Sequence, residues 1–360
     1  MSKLIVEICK IDKVVVHPNA DRLDIVTIKG WECIVSKNQY KENDLVIYCP
    51  PDSVIPPDII EKHGLEFLKK NGKVGIIKLR QIVSQGLVLD ISDLPSNIKP
   101  KIGMDVAEIL HITKWEPPQN NNLCLRGQKK RARKKLNPYF DKYTDIENIR
   151  HFPNLFKDGE EVIITEKIHG TNARYGMLPR YKGNILGRIL SKLFGSHEFV
   201  YGSHNVQISF HKNRHCFYGE DVYAKPIKKL NLHKILPKDY IFYGEIYGKG
   251  IQDLTYGQED IGIRFFDIKS LKSGQYLDYD EFLYITTCYG LKIAETLYRG
   301  PYSKEIVEKY TRGGSSMCEN QIKEGIVIRP IKERIEHMGR VILKSISEDY
   351  LLRKNGTEYK

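Results

Sequence analysis

The residues best equipped for chemistry are Glu166-Lys167-Ile168-His169-Gly170-Thr171-Asn172, which follow the apolar run Val162-Ile163-Ile164. A strand that ends this way delivers a carboxylate, an amine and an imidazole into a glycine turn, at the mouth of whatever the strand helps to enclose. Charges recur in four later strand-like runs: Glu245 in 240–247, Arg264 and Asp267 in 261–268, Glu324 and Arg329 in 324–329, and Lys344 in 341–344. With a side-chain period of two, Glu245 shares its face with Ile241 and Tyr243, Asp267 with Ile263 and Phe265, and Lys344 with Ile342. Isolated charges on such apolar faces cost several kcal/mol unless they pair with one another, with a metal or with a ligand. Convergence of the five runs on one shared site is the expectation, and a purely structural ionic network is the alternative.

These elements sit in a chain of 360 residues, long enough for two domains with a core each. Lys and Arg number 57 against 45 Asp and Glu, a formal charge of +12 that makes a polyanion, nucleic acid above all, the expected partner. A lysine-rich proteome with merely solubilising cations is the bland alternative. The seven cysteines (Cys9, Cys33, Cys49, Cys124, Cys216, Cys288, Cys318) are odd in number and show no zinc-knuckle or redox spacing. They read as free thiols of a reducing compartment, so an intracellular protein, cytoplasmic or nuclear, is expected. No window approaches the roughly 18 apolar residues of a membrane span, and the start of the chain has no long apolar leader.

Residues 1–110 read as many short strands, at 4–16, 23–28, 31–36, 45–48, 74–79 and 86–89, separated by turn clusters such as His17-Pro18-Asn19-Ala20-Asp21. That pattern suits a small closed β-barrel. The string from His17 to Leu23, with Gly30-Trp31 and Leu45-Val46-Ile47-Tyr48, resembles the OB-fold modules that bind tRNA and other RNA. Trp31 is expected in the core. Residues 111–139 change character: Pro117-Pro118-Gln119-Asn120-Asn121-Asn122 is loop chemistry, and Lys129-Lys130-Arg131-Ala132-Arg133-Lys134-Lys135 is a block of like charge that cannot pack on itself. This basic linker reads as a solvated segment, a nucleic-acid backbone contact or a nuclear-localisation signal. A larger unit fills 140–360. In it, residues 184–194 carry apolar pairs four apart and read as an amphipathic helix, packed on that unit or gripping a membrane surface or RNA.

Lys167-Ile168-His169-Gly170 resembles the nucleotidyl-acceptor motif of the covalent nucleotidyltransferases: ATP-dependent DNA ligases, RNA ligases and mRNA capping enzymes. It is followed in that superfamily's order by Tyr243-Gly244-Glu245-Ile246-Tyr247-Gly248, Phe265-Phe266-Asp267-Ile268, Glu324-Gly325-Ile326-Val327-Ile328-Arg329 and Leu343-Lys344. His169 is similar to RNA ligases of the strand-repair type, where DNA ligases and capping enzymes usually carry aspartate. Those cousins also have an OB domain after the last motif. Here the chain ends soon after Lys344 and the OB-like module comes first, an arrangement that looks like RNA ligases with an N-terminal OB domain. The resemblance implies an α+β protein: an OB-fold barrel, then a ligase-type nucleotidyltransferase domain of antiparallel sheets with flanking helices, unrelated to ATP-grasp.

Joining a 3′-OH to a 5′-phosphate needs a leaving group, and adenylation supplies AMP. A lysine with a free pKa of about 10.4 is well under ~1% neutral at pH 7, so Lys167 must lose a proton before it attacks the α-phosphate of ATP. The resemblance implies Lys344 as the neutraliser of phosphate charge, and Glu324 with Glu245 as holders of a hydrated Mg2+ or Mn2+ and of the ribose hydroxyls. It further implies an ATP and AMP site from Glu166, Lys167, Ile168, Gly170, Asn172, Arg174, Asn205, Glu245, Phe266, Glu324 and Lys344. Phe266 takes the place that stacks on adenine, although parity sets Phe265 on the opposite face and core packing is open to either ring. Glu166 would accept from the adenine amino group. His169 and Asn172 would serve the later steps, with a backbone-bonded turn histidine as the alternative for His169.

Two departures remove cations near phosphate: Ile346 stands where relatives carry a second lysine, and His204 in Tyr201-Gly202-Ser203-His204-Asn205 stands where they have arginine. Arg174, Lys142, Arg150 and Arg264 are candidates to compensate. No GxxxxGK[ST] loop, dinucleotide fingerprint or HExxH occurs. The expected activity is an ATP-dependent RNA ligase for 3′-OH and 5′-phosphate ends, acting as a monomer on RNA, with a nicked duplex as the expected form and repair as the use. The alternatives are a ligase for nicks containing DNA strands and an inactive RNA-binding relative.

Overall fold

The computed structural model describes residues 4–115, 137–180, 196–208, 221–337 and 339–353. The basic block 129–135, the run 184–194, Cys124 and Cys216 lie outside them. The chain divides into two compact units, one of Met1–Pro118 with Arg150–Pro153, the other of Gln119–Ile149 with Asn154–Lys360.

In the first unit Glu7–Lys10, Leu45–Cys49 and Leu87–Asp90 form one antiparallel sheet, and Lys13–Val16, Leu23–Ile28 and Trp31–Ser36 another. The sequence reads 4–16 as one strand, whereas the structure breaks it between Lys10 and Lys13 so that its halves serve different sheets. Trp31–Ser36 alternates as a half-buried strand does, with Trp31, Cys33 and Val35 buried, whereas its partner Leu23–Ile28 buries Ile25, Val26 and Ile28 without strict alternation. Trp31 is 6% exposed in this core, with the Arg150 guanidinium 4.6 Å from its ring centroid.

The second unit is built on two five-stranded sheets. One runs Glu147–Asn148, Leu343–Ile346, Gly325–Pro330, Glu161–Lys167, Thr296–Pro301; the other runs Gln207–Ile208, His197–Ser203, Thr171–Pro179, Tyr240–Tyr247, Gly262–Ser270. Val162, Ile163 and Ile164 are fully buried, which is why Glu161–Lys167 reads as a continuous apolar run and takes an interior position, between Gly325–Pro330 and Thr296–Pro301. The chain crosses from the first sheet to the second through Ile168-His169-Gly170. Gly170 is obligatory there, because a Cβ would run into the Ile246 carbonyl oxygen. Helices cover the outside. Tyr279–Cys288 starts with a capping box between Asp278 and Glu281, and Ser303 caps Lys304–Thr311 through its hydroxyl.

One irregularity shapes the site. Tyr243 pairs with Asp267 and Gly244 with Phe265, so Phe266 is the extra residue of a β-bulge. The bulge overturns the parity that puts Asp267 on the face of Ile263 and Phe265: Asp267 shares the Tyr243 face, while Phe265 stays in the main core with Ile263 and Ile268. Among the described residues no helix is long and apolar enough to cross a membrane. Cys9, Cys33, Cys49, Cys288 and Cys318 are free thiols.

Candidate active site

A cleft of about 270 Å3 opens in the second unit, walled by Thr165, Glu166 and Lys167 of the first sheet and Asn172, Glu245 and Phe266 of the second. Lys167 ends its strand opposite Gly325, where the absence of a side chain brings the Ser345 backbone close. Its Nζ forms an ion pair with Glu324 Oε1; the amine is a quarter exposed and the carboxylate nearly buried. Register sets Lys344 across from Val327, and Val327 across from Thr165, so the second lysine shares a row with two cleft-lining residues. Ile346 lies across Gly325 from Lys167, so the position where relatives carry a further cation falls beside the nucleophile and is apolar here, packed on the cluster around Ile168 and Tyr350.

The carboxylate of Glu166 is 1% exposed and accepts from Ser315 Oγ, and from Ser316 N (2.7 Å) and Oγ, donors contributed by the loop after the Lys304–Thr311 helix. These contacts fix its orientation at the cleft wall. Asn172 Oδ1 is buried without a hydrogen-bond partner while its residue lines the cleft, an acceptor suited to a ligand hydroxyl or amine. Phe266 is half-buried against Tyr143, ring centroids 4.9 Å apart, and keeps a surface on the cleft. His204 also lines it, and burial lowers its pKa, which favours the neutral ring at pH 7.

Other residues expected here serve elsewhere. Arg174 is 2% exposed, with Nε on the Ser203 carbonyl and Nη1 on the Phe140 carbonyl, both at 2.8 Å; burial lowers its pKa. It ties strands together and does not line the cleft. Asn205 is exposed and accepts from Lys142 Nζ at 2.8 Å, while Arg264 pairs with Glu295 at 2.7 Å and Arg150 belongs to the first unit. His169 is 2% exposed and bonded on both nitrogens, so its imidazole sits behind the nucleophile and not on the cleft wall.

Asp267 departs furthest from the idea of one convergent site. It is fully buried between Arg340 (2.7 Å) and Arg329 (3.1 Å), accepts from Tyr143 Oη at 2.8 Å, and Glu333 joins both arginines. Burial opposes its ionisation, and the two guanidinia overcome this and hold its carboxyl below the usual range. The charges of the five strands thus divide between a site around Lys167 and an ionic network around Asp267 that backs the cleft through Tyr143 and Arg329. Sequence reasoning missed the segment Tyr143–Asp145, Ser315, Ser316 and Arg329 as cleft or supporting residues. Arg329 alone gave a signal, as a charge in an apolar strand.

A strand-end lysine held by a buried glutamate, in a cleft between two largely antiparallel sheets, one of them with a parallel edge strand at Glu147–Asn148, after an N-terminal β unit, defines the class: a nucleotidyltransferase of the ligase type. A family model described as RNA ligase matches residues 160–346, more than half of the chain, and an OB-fold domain model matches residues 5–91. The chain belongs to the RNA ligase family. No curated protein matches it. Among solved structures it is similar to Naegleria gruberi RNA ligase with PPi (TM-score 0.73, 21% identity, 97% of this chain and 98% of that one). It is also similar to a lysine-to-alanine mutant of that enzyme with ATP and Mn (TM-score 0.72, 22% identity, 96% and 98%) and a glutamate-to-alanine mutant with AMP and Mn (TM-score 0.72, 21% identity, 97% and 98%). At these identities the likeness is one of fold.

Proposed function

We propose that the protein is an ATP-dependent RNA ligase that seals 3′-OH to 5′-phosphate ends through a lysyl-AMP intermediate, with nicked duplex RNA as substrate and RNA repair as its use. The observation that carries this reading is Lys167, poised on Glu324 in a cleft lined by Glu245 and the half-buried ring of Phe266, with Lys344 in register with the cleft-lining Val327. In the first step the neutral amine of Lys167 attacks the α-phosphate; a P–N bond forms and pyrophosphate leaves with the bond electrons. An ammonium paired with Glu324 has no lone pair to attack with, so the pair must open first. Lys344 offsets the phosphate charge, Phe266 stacks on adenine, and Asn172 Oδ1 accepts from the nucleoside. In the second step an oxygen of the RNA 5′-phosphate attacks the adenylyl phosphorus, the P–N bond breaks and the Lys167 amine leaves, taking up a proton; in the third the 3′-OH loses its proton as it attacks the 5′-phosphate, and AMP leaves with the electrons of the broken P–O bond.

Glu324 and Glu245 offer the hard carboxylate oxygens that suit magnesium or manganese, largely through water. A cation held there would screen the triphosphate and compete with Lys167 for Glu324. Residues 1–110 act as the RNA-positioning module, 111–139 as a basic linker and 140–360 as the adenylyltransferase, in an intracellular monomer. The test is incubation with α-labelled ATP and Mg2+ or Mn2+, denaturation, and a search for label on protein. Wild type should carry it and Lys167→Ala should not; label on Lys167→Ala refutes the mechanism. Sealing of RNA, DNA and mixed nicks then defines the substrate.

A further inference from the structure

His169 links the nucleophile turn to two distant parts of the chain. Its Nε2 lies 2.8 Å from Asp253 Oδ1 and its Nδ1 2.9 Å from Tyr350 Oη. A carboxylate only accepts, so Nε2 donates to Asp253, and Nδ1 pairs with the Tyr350 hydroxyl. Arg353 closes the ring of contacts. Its Nε donates to Asp253 Oδ2 and its Nη1 to the Tyr350 carbonyl, both at 2.7 Å, and its guanidinium lies 3.5 Å from the centroid of the Tyr350 ring. The backbone amide of His169 donates to Tyr256 Oη at 2.7 Å, so both side chain and main chain of this turn residue are held. The same imidazole is 4.0 Å from Oε2 of Glu324, the partner of Lys167.

We propose that Asp253, Tyr350 and Arg353 are positioning residues for lysine adenylation. They lock His169, and through the Ile168 peptide they fix where Lys167 leaves its strand relative to Glu324. None of the three lines the cleft, so their effect on ATP is indirect. The inference rests on the lysyl-AMP reading above. It recasts His169 as the joint between the nucleophile turn and the helix Glu348–Leu351, a short element whose one buried residue is Tyr350.

The test is single-turnover adenylation of the full-length protein with α-labelled ATP and Mg2+ over a range of ATP concentrations. Asp253→Ala and Arg353→Ala should lower the saturating rate by up to about 100-fold, the order expected for loss of near-attack geometry, and leave the half-saturating ATP concentration unchanged. The double variant His169→Ala/Asp253→Ala should be no slower than His169→Ala alone, since the side chains act as one unit. Asp253→Asn keeps an acceptor for Nε2–H but sets an amide donor against Arg353 Nε, so it should recover only part of the rate. A purely structural cluster would instead lower thermal stability and leave the rate per folded molecule intact. Multiplying losses in the double variant, weaker ATP binding at an unchanged rate, or a wild-type rate in Asp253→Ala would each overturn the proposal. If Asp253→Ala fails to fold, Tyr350→Phe removes one hydroxyl only: a slower rate that adds nothing to His169→Ala supports the cradle, and a wild-type rate overturns it. Lys167→Ala is the control for the underlying reading: label on that variant refutes lysyl-AMP, whereas an unlabelled control beside a normal Asp253→Ala refutes the cradle alone.

Discussion

Replacing Asp267 with asparagine separates folding from chemistry. The substitution is nearly isosteric and removes one charge from a group that is 0% exposed, between arginines whose side chains are 4% and 6% exposed. Breaking a buried pair from one side costs about 3–5 kcal/mol, because the remaining charge stays buried without its counter-charge. Here Glu333 still binds Arg340 through Nε at 2.7 Å and reaches Arg329 at 3.4 Å, which places the loss at the lower end, about 3 kcal/mol. For a unit of this size each kcal/mol moves the melting temperature by about 2–4 °C, so Asp267→Asn should melt roughly 6–12 °C below wild type. The assay is thermal unfolding paired with lysine adenylation measured well below the transition and normalised to folded protein. A near-normal adenylation rate is expected, since Asp267 touches Tyr143 and the arginines and not the nucleophile. A melting temperature within about 2 °C of wild type, or loss of adenylation in the folded variant, would refute the division into two ionic groups.

The same residue fixes a pH dependence. Its folded pKa lies below the ordinary 3.8, so its stabilisation is fully present above that value and is lost as pH falls through the depressed one; the stability gap between wild type and Asp267→Asn should be flat above about pH 5 and shrink in stronger acid, as denaturant titrations can check. Phe266→Ala should raise the ATP concentration needed for adenylation by about fivefold with little change in stability, a loss of stacking worth about 1 kcal/mol, whereas Phe265→Ala should cost about 3–5 kcal/mol of stability because that ring is fully buried; the reverse pattern would contradict the placement of the two rings. Gly170→Ala should abolish adenylation even where the protein stays soluble, because its Cβ has no room beside the Ile246 carbonyl; a wild-type labelling rate would contradict the close approach.

Much of this protein is written locally. Val162-Ile163-Ile164 announces an interior strand, Gly170 a turn that tolerates no side chain, and the order of Lys167, Glu245, Glu324 and Lys344 announces the family, because strand periodicity and turn chemistry act over a few residues. The pairing of charges was not legible. Glu324 reaches Lys167 and Asp267 reaches Arg329 and Arg340, yet both carboxylates look alike in sequence, each a lone acid at or within an apolar strand run. Arg174 carries the same ambiguity: an arginine near a nucleotide motif reads as a phosphate ligand, and only the fold spends it on two backbone carbonyls.

The sequence by itself determined the class of chemistry: a lysine at a strand end, its acidic partners in order, and an OB-like module before them. Tertiary structure alone decided which acid faces that lysine, which ring reaches the cleft and what holds His169. The physical reason is that these outcomes depend on register and on a single bulged residue. One extra residue in a strand changes which side chains share a face, and contacts between residues more than a hundred positions apart are set only when the sheets close on one another.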